Sequence, residues 1–355
     1  MALAIDSSTP SAPTSVAPSA ASSTTGSFTP PAGSVIFVFI SLAGSSGSPQ
    51  SATISDNIVG GHLSWKRYAN NINVVDNTVS GGMTGSTEVW YAPSPNSQSM
   101  TVTATYDQLN NAADGLSGGM IMPVVFTGAA TTQSGNYSIR NDSSFESSGM
   151  SQTLTTSVDN SWVFGAIHNF VSSTAPTIPA GQTDVIDGAN TLKTDSGVST
   201  FMTFWVQAQT STTPTAGTVV TINDTAPAGF EGHITLVEVL PAPVAPTVTT
   251  QAVTNIAAST ATGNGNVTSD GGGTITERGI VWNTTGSPTT ADNKVTAGGT
   301  TGSYSASLTS LTASSVIHVR AYATNSAGTS YGNEVTFNTY QISSSGNMVI
   351  GWLHR

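Results

Sequence analysis

A chain of 355 residues has room for about two domains, and only 8% of its residues are charged, against roughly 25% in an ordinary soluble domain. It contains no cysteine, which excludes disulfide bonds, thiolate chemistry and cysteine-type zinc sites. The net charge is −11 and no basic patch is present, so we expect no binding to nucleic acid.

The charges are unevenly distributed along the chain. Up to Val244 there are fifteen acidic and four basic residues, whereas from Ala245 onward there are four of each. The first part is therefore acidic and the second neutral, and the commonest consequence of an acidic surface is solubility.

Neither the start of the chain nor its apolar runs predict membrane targeting. Met1–Asp6 has neither the basic start nor the apolar region of a secretory signal. The longest apolar run, Val35–Ala43, is too short to span a bilayer. We therefore expect no membrane insertion, and we interpret that run as one buried, central strand.

Residues 1–240 show the pattern of a layered β-protein. Val, Ile, Thr and aromatic residues recur throughout, Ser99–Tyr106 alternates polar and apolar residues with period two, and no amphipathic helix is evident. Further predicted strands are Ala2–Asp6, Gly26–Thr29, Thr53–Asp56, Leu63–Ala69, Glu88–Ala92, Gly119–Thr127, Ser151–Leu154, Ser161–Phe170, Thr200–Gln209, Gly217–Asn223 and His233–Leu240. This pattern predicts a jelly-roll-like β-sandwich.

A proline-rich linker, residues 241–246, separates this module from a second one at 247–340. The second module has about six or seven short predicted strands, as in an immunoglobulin-like sandwich. Two of its segments, His318–Phe337 and Arg278–Trp282, resemble fibronectin type III-like domains of bacteria and phages. The resemblance implies a spacer or adhesion unit without catalytic residues. It also implies that Ile317 occupies the usual position of the tyrosine-corner tyrosine, whose hydrogen bond should then be missing.

The first module is similar to β-sandwich proteins encoded among bacteriophage structural genes. The similar segments are Phe28–Val38, Glu88–Ala92 and Ser161–Ala166. A composition typical of extracellular proteins, without an export signal, also fits a protein that leaves the cell by lysis inside a virus particle.

No sequence motif predicts an enzyme. Nucleophile elbows, phosphate-binding loops and dinucleotide fingerprints are missing, and we expect the five histidines to lie singly. A glycosidase would need two facing carboxylates. The candidates are Glu88, Glu146, Glu231 and Glu238, of which Glu88 or Glu238 could be buried because both lie in apolar strands.

The sequence predicts two ligand sites. Asp184, Asp187, Asn190 and Asp195 resemble an oxygen-rich calcium loop, although a solvated loop explains them as well. Trp65, Arg67 and Tyr68 could form an exposed ligand platform.

We expect the other strand tryptophans, Trp90, Trp162 and Trp205, to be core residues.

The C-terminal tail, residues 341–355, carries an apolar segment behind a polar leash. Its docking residues are Met348, Val349, Ile350, Trp352 and Leu353. Such a segment can add a strand to a neighbouring subunit's sheet, and the alternative is that it packs back on its own module.

The sequence therefore predicts an all-β, non-enzymatic structural protein of a phage virion surface, as a head decoration or tail-fibre component. Its expected partners are capsid or tail proteins and further copies of itself. The alternative is an adhesin that binds a host surface or glycan, from a phage tail or a secreted bacterial protein.

Overall fold

The computed structural model describes residues 2–11, 14–15, 22–45, 51–68, 83–107, 118–146, 150–169, 176–186, 203–224 and 230–341. Every regular element in these ranges is a β-strand, and they contain no helix of a length and hydropathy suited to crossing a membrane. The prediction of an all-β chain is confirmed. The chain divides into two compact units, Met1–Ala242 and Pro243–Arg355.

The first unit is built from four antiparallel sheets. Its strands are β1 (Ala4–Ile5), β2 (Thr14–Ser15), β3 (Ser22–Thr24), β4 (Ser34–Ser45), β5 (Ser51–Asp56), β6 (Lys66–Arg67), β7 (Met83–Ser94), β8 (Val102–Asp107), β9 (Gly118–Thr127), β10 (Tyr137–Glu146), β11 (Ser151–Thr155), β12 (Trp162–Asn169), β13 (Gln182–Ile186), β14 (Thr203–Gln209), β15 (Val219–Asn223) and β16 (Phe230–Val239). One large sheet has the order β1-β9-β4-β7-β6, with β2 also paired to β9, and the other has the order β10-β16-β12-β14-β13. The small sheets are β3-β8-β5 and β11-β15.

The four sheets stack in layers because both large sheets are apolar on both faces. In β4 the odd-numbered residues from Val35 to Phe39 enter the core between the large sheets, and the even-numbered residues from Ile36 to Ile40 enter a core against β3-β8-β5. A third core lies between the second large sheet and β11-β15. A strand that is buried on both faces has no polar side, which explains the continuous apolar run of β4. The two large sheets form the predicted β-sandwich, and the small sheets extend it to four layers.

The first unit contains the same strand order twice. Strands β1, β9, β4, β7 and β6 of the first large sheet correspond to β10, β16, β12, β14 and β13 of the second, and β3 and β8 correspond to β11 and β15. The pairing register agrees, since Phe37 pairs with Tyr91 and Val124 while Phe164 pairs with Ala208 and Val237. We call the segments up to β9 and from β10 onward the first and second repeat.

Each repeat enters its central strand through a left-handed turn residue. Gly33 has φ 76° and Asn160 has φ 58°. Each is followed by a buried serine, Ser34 or Ser161, at the corresponding position of the two repeats. Glycine and asparagine are the residues that adopt this conformation most readily.

Pro123 explains why the edge of the first repeat is formed by two short strands. Strand β1 pairs with Phe126 and Thr127, and β2 pairs with Met120 and Ile121, so neither of them pairs with Pro123. Proline has no N–H to donate to a neighbouring strand. The N–H of Val125 is instead bound by the hydroxyl of Thr9, at 3.0 Å.

The second unit is a two-sheet sandwich. Its strands are β17 (Thr247–Thr254), β18 (Ala261–Ser269), β19 (Glu277–Asn283), β20 (Asn293–Thr296), β21 (Gly302–Leu308), β22 (Val316–Asn325), β23 (Gly328–Tyr331) and β24 (Val335–Asn338). A three-stranded sheet β17-β18-β21 faces a five-stranded sheet β20-β19-β22-β23, in which β24 also pairs with β22. This strand order is that of a fibronectin type III-like sandwich, and the prediction of that fold is confirmed.

Thr339 makes hydrogen bonds close to the position of the missing tyrosine corner. Ile317 is buried in the core. The hydroxyl of Thr339 donates to the carbonyl of Thr312 at 2.6 Å, and it accepts the N–H of Ser315 at 3.0 Å.

The predicted linker at 241–246 is hydrogen-bonded near both of its ends. Ala242 N–H donates to the carbonyl of Gly128 in the first unit, at 2.7 Å, and Val244 N–H donates to Gly271 in the second unit, at 2.9 Å.

Candidate functional site

Asp56 shapes the loop that carries Trp65. Its buried carboxylate accepts hydrogen bonds from the N–H groups of Ile58 and Leu63 and from the Trp65 indole, and His62 Nδ1 lies 3.0 Å away. Burial opposes ionisation, but these hydrogen bonds outweigh it and keep the pKa of Asp56 below its ordinary value. The half-buried Trp65 is thus held in a fixed orientation.

Arg67 is engaged inside the first repeat. Its guanidinium lies 5.0 Å from the Trp90 ring centre, and Nη2 is 3.4 Å from the Glu88 carboxylate, which also accepts the Trp90 indole N–H at 2.8 Å. Burial raises the pKa of Glu88, and the hydrogen bond from Trp90 and the charge of Arg67 partly oppose the rise. Ligand binding at Trp65 and Arg67 stays a prediction.

Tyr68 faces away from this cluster. Its ring packs into the core between the large sheets, against Phe37 and Tyr91, and its hydroxyl donates to the carbonyl of Glu238. Strand alternation separates it from Arg67, because successive side chains point to opposite faces. The three predicted residues therefore do not form one platform.

One residue of each predicted ligand site, Arg67 and Asp184, lies at an equivalent position of the two repeats. Arg67 pairs with Trp90 at the edge of the first large sheet, as Asp184 pairs with Gln207 at the edge of the second. Each repeat also has an indole hydrogen bond on the neighbouring strand. The Trp90 indole N–H donates to Glu88 in the first repeat, and the Trp205 indole N–H donates to Gln207 at 3.1 Å in the second.

The predicted calcium site lies only partly within the described structure. Asp184 is half-buried on β13, whereas Asp187, Asn190 and Asp195 lie outside the described residues. Among the residues that the structure describes, no group of three histidine or acidic side chains comes together to hold a metal.

The two histidines His168 and His233 lie side by side, so the expectation that every histidine lies singly is wrong. The antiparallel register of β12 and β16 pairs them, and their ring centres are 6.4 Å apart in the layer between the large sheets. His168 Nδ1 is 2.7 Å from the hydroxyl of Ser41, its counterpart in the first repeat. Burial, and then the neighbouring His233, lower the pKa of His168 well below its ordinary value.

Glu88 and Glu238 are both buried, but they cannot face each other. Glu88 lies on the face of the first large sheet that packs against β3-β8-β5, and Glu238 lies on the opposite side of the second large sheet. Both large sheets separate the two carboxylates. Glu238 instead binds the N–H groups of Asn136, Ser157 and Val158. The side chains of Glu146 and Glu231 lie outside the description.

The second unit presents a surface that the sequence analysis did not identify, which we call the charged face. It is the outer side of the five-stranded sheet and consists of Glu277, Lys294, His318, Arg320, Tyr331 and Glu334, which lie over the fully buried Tyr322. The alternation of His318, Arg320 and Tyr322 along β22 could have predicted it, since residues two apart share one face.

Side chains of the charged face hold one another in place. Glu277 accepts a hydrogen bond from the hydroxyl of Tyr322 at 2.6 Å, and this bond lowers the pKa of Glu277. Lys294 Nζ lies 3.1 Å from the same carboxylate oxygen. The guanidinium of Arg320 lies 4.7 Å from the Tyr331 ring centre, and its Nε donates to the carbonyl of Gly332 at 2.9 Å.

A second pair on the charged face joins His318 and Glu334. His318 Nδ1 is 2.7 Å from Glu334, and this hydrogen bond, together with one from the N–H of Ser287, lowers the pKa of Glu334.

The opposite side of this unit, which we call the neutral face, carries no charge on its strands. The outer residues of β17, β18 and β21 form rows of hydroxyl and amide side chains. The rows are Thr249–Asn266–Ser303, Gln251–Asn264–Ser305 and Thr254–Thr262–Ser307. All acidic and basic strand residues of the described part of this unit therefore belong to the five-stranded sheet.

The predicted docking tail, with Met348, Val349, Ile350, Trp352 and Leu353, lies outside the described residues.

No family model matches the chain, and none of the curated proteins compared with it matches. Among solved structures, the FN1–FN3 domains of chicken CNTN1 are similar at 14% identity and TM-score 0.23, over 88% of this chain and 100% of that one. A fibronectin type III domain of human KIAA0970 protein is similar at 14% identity and TM-score 0.21, over 27% and 74% of the chains. The sensor domain of the anti-sigma factor RsgI4 in Pseudobacteroides cellulosolvens is similar at 15% identity and TM-score 0.22, over 27% and 96%. Likenesses with such low TM-scores carry no weight, and the fold assignment rests on strand order and register.

Proposed function

We propose that this protein is a non-enzymatic structural component of a bacteriophage virion surface, a head decoration or tail-fibre protein that works through protein–protein contacts. The observation that carries the proposal is the chemical division of the second unit. One sheet has no charged residue on its strands and exposes mainly hydroxyl and amide groups, and the other exposes arginine, lysine, tyrosine and glutamate held in fixed positions. Arginine and tyrosine are enriched among residues that dominate binding at protein interfaces.

The low charge of the chain and its resemblance to phage structural proteins support the same function. Surfaces rich in hydroxyl and amide groups suit a protein that functions outside the cell, in contact with other subunits. Among the residues that the structure describes, every regular element is a β-strand, which suits a role in which position, and not chemistry, is the requirement.

The test is to purify virus particles from the source culture and to search them for this chain by mass spectrometry and immunogold labelling. We expect a fixed number of copies per particle, with gold at the head or at the tail. If the chain is missing from particles and is found free in the medium or on cells, the proposal is rejected.

An adhesin is the second candidate, and the half-exposed Trp65 indole beside the exposed His62 and Lys66 favours it. An aromatic ring of this kind can stack on a sugar. Saturable binding of the purified chain to a glycan array, abolished by Trp65→Ala and retained by Trp282→Phe, would support the adhesin. Trp282 is the matched control because it lies in the core of the other unit.

A further inference from the structure

The charged face is balanced in charge, unlike the first unit. It carries two acids, Glu277 and Glu334, and two bases, Lys294 and Arg320. The chain up to Val244 has fifteen acids and four bases, so two copies that approach through their first units repel each other. The balanced face can meet a second copy without that repulsion.

We propose that the charged face binds the charged face of a second copy of this chain about a two-fold axis, with Arg320 of each copy against a carboxylate of the other. The inference rests on the proposed contact-based function and names one of its partners.

A two-fold interface uses the same patch on both sides, so it must be complementary to itself. A patch with both signs of charge in equal number meets this requirement, whereas a patch of one sign does not.

Arg320 is suited to the centre of such an interface. Its stacking on Tyr331 and its hydrogen bond to Gly332 fix the guanidinium before any partner arrives, and the remaining N–H groups can bind a carboxylate in a bidentate way. Side chains that are already ordered lose little entropy on binding. The neutral face offers no such anchor, because its strands carry neither arginine nor a large outward-facing aromatic residue.

The size of the face sets the strength of the dimer. The five-stranded sheet is four strands wide, because β23 and β24 both pair with β22 along different parts of its length. Four strands about 4.8 Å apart and about 20–25 Å long give roughly 400–500 Å² for each copy, below the ~800 Å² of a standard interface. We therefore expect a weak dimer in dilute solution. Copies held close together on a particle would be driven into contact by their high local concentration.

The experiment measures the mass of the full chain by light scattering and sedimentation equilibrium over a range of concentrations and salt. We expect a concentration-dependent dimer that high salt weakens, because salt screens partly exposed charges. Arg320→Glu should raise the dissociation constant at least about tenfold. Lys66→Glu, the same charge reversal on an exposed residue of the first unit, should leave it unchanged.

A rescue experiment guards against simple misfolding of the variant. Arg320→Glu is mixed with Glu334→Arg and, separately, with Glu277→Arg, and one of the two mixtures should restore a mixed dimer. A monomeric wild type, a dimer insensitive to Arg320→Glu, or failure of both mixtures would overturn the inference.

None of these three outcomes bears on whether the chain is present on virus particles. Absence from particles with the dimer intact would reject only the proposed function.

Discussion

At the scale of single residues, His168 makes the stability of the first unit depend on pH. Its pKa is lowered by burial, so the folded chain keeps it neutral while the unfolded chain binds a proton below about pH 6.5. Its contribution is complete above that pH and is lost as the pH falls, at about 1.4 kcal/mol per pH unit. We expect His168→Gln to have a shallower loss of stability between pH 7.5 and 5.5, measured by denaturant unfolding.

Asp224 makes stability depend on pH in the opposite direction and therefore serves as a control for His168. Burial raises the pKa of this carboxyl to about 7; its Oδ1 accepts the N–H of Met150 at 3.0 Å, and its Oδ2 finds no partner among the described residues. The folded chain therefore keeps its proton up to about pH 7, so this carboxyl costs stability as the pH rises from about 4. The free energy of unfolding of Asp224→Asn should therefore rise relative to that of the wild type as the pH increases from about 4 to about 7. Parallel pH profiles for wild type and His168→Gln would contradict the histidine prediction.

The predicted site residues illustrate what a sequence can and cannot place. The neighbours of Trp65 and Arg67 come from elsewhere in the chain, since Glu88 and Trp90 lie on β7 and approach only through sheet pairing. Tyr68 was placed in the wrong environment because its burial depends on the second large sheet, which no local pattern reveals.

At the scale of elements, strands buried on both faces were predicted well, whereas two edge strands of the second large sheet were missed. The apolar run of β4 identified its strand, whereas β10 and β13 were missed. Both are edge strands of the second large sheet, and their sequences, YSIRNDSSFE and QTDVI, show little apolar alternation. An edge strand needs fewer apolar residues because less of it is covered, and polar residues there discourage pairing with other chains.

The turn before each central strand gives a prediction at the same scale. Asn160 holds a left-handed conformation at the position where the first repeat has Gly33. We expect Asn160→Ala to lower the free energy of unfolding by about 1 kcal/mol, because alanine resists this conformation. Asn160→Gly should be neutral within about 0.5 kcal/mol. Thermal unfolding of both variants measures the difference, and equal losses for alanine and glycine would show that the turn does not depend on backbone conformation.

At the scale of the whole molecule, each unit has its own apolar cores. One of the cores belongs to Pro243–Arg355, and the others belong to Met1–Ala242. We expect calorimetry to show two transitions, with an enthalpy of about 0.7 kcal/mol per residue near 60 °C for each folded unit. Limited proteolysis within 241–246 should leave two fragments that keep their separate transitions. A single transition carrying the whole enthalpy would contradict this picture.

The sequence by itself determined the all-β class, the order of most strands, the acidic first part and the fibronectin type III-like second part. The all-β class, the strand order and the acidic first part follow from alternation, turn residues and composition, which are local properties of the sequence. The fibronectin type III-like second part follows from the resemblance of His318–Phe337 and Arg278–Trp282 to domains of that kind. Only the tertiary structure decided the four-layer stacking, the repeated strand order, the pairing of His168 with His233 and the two faces of the second unit. Each of these depends on register between strands distant in sequence, and pairing of that kind is set by burial across the whole sheet.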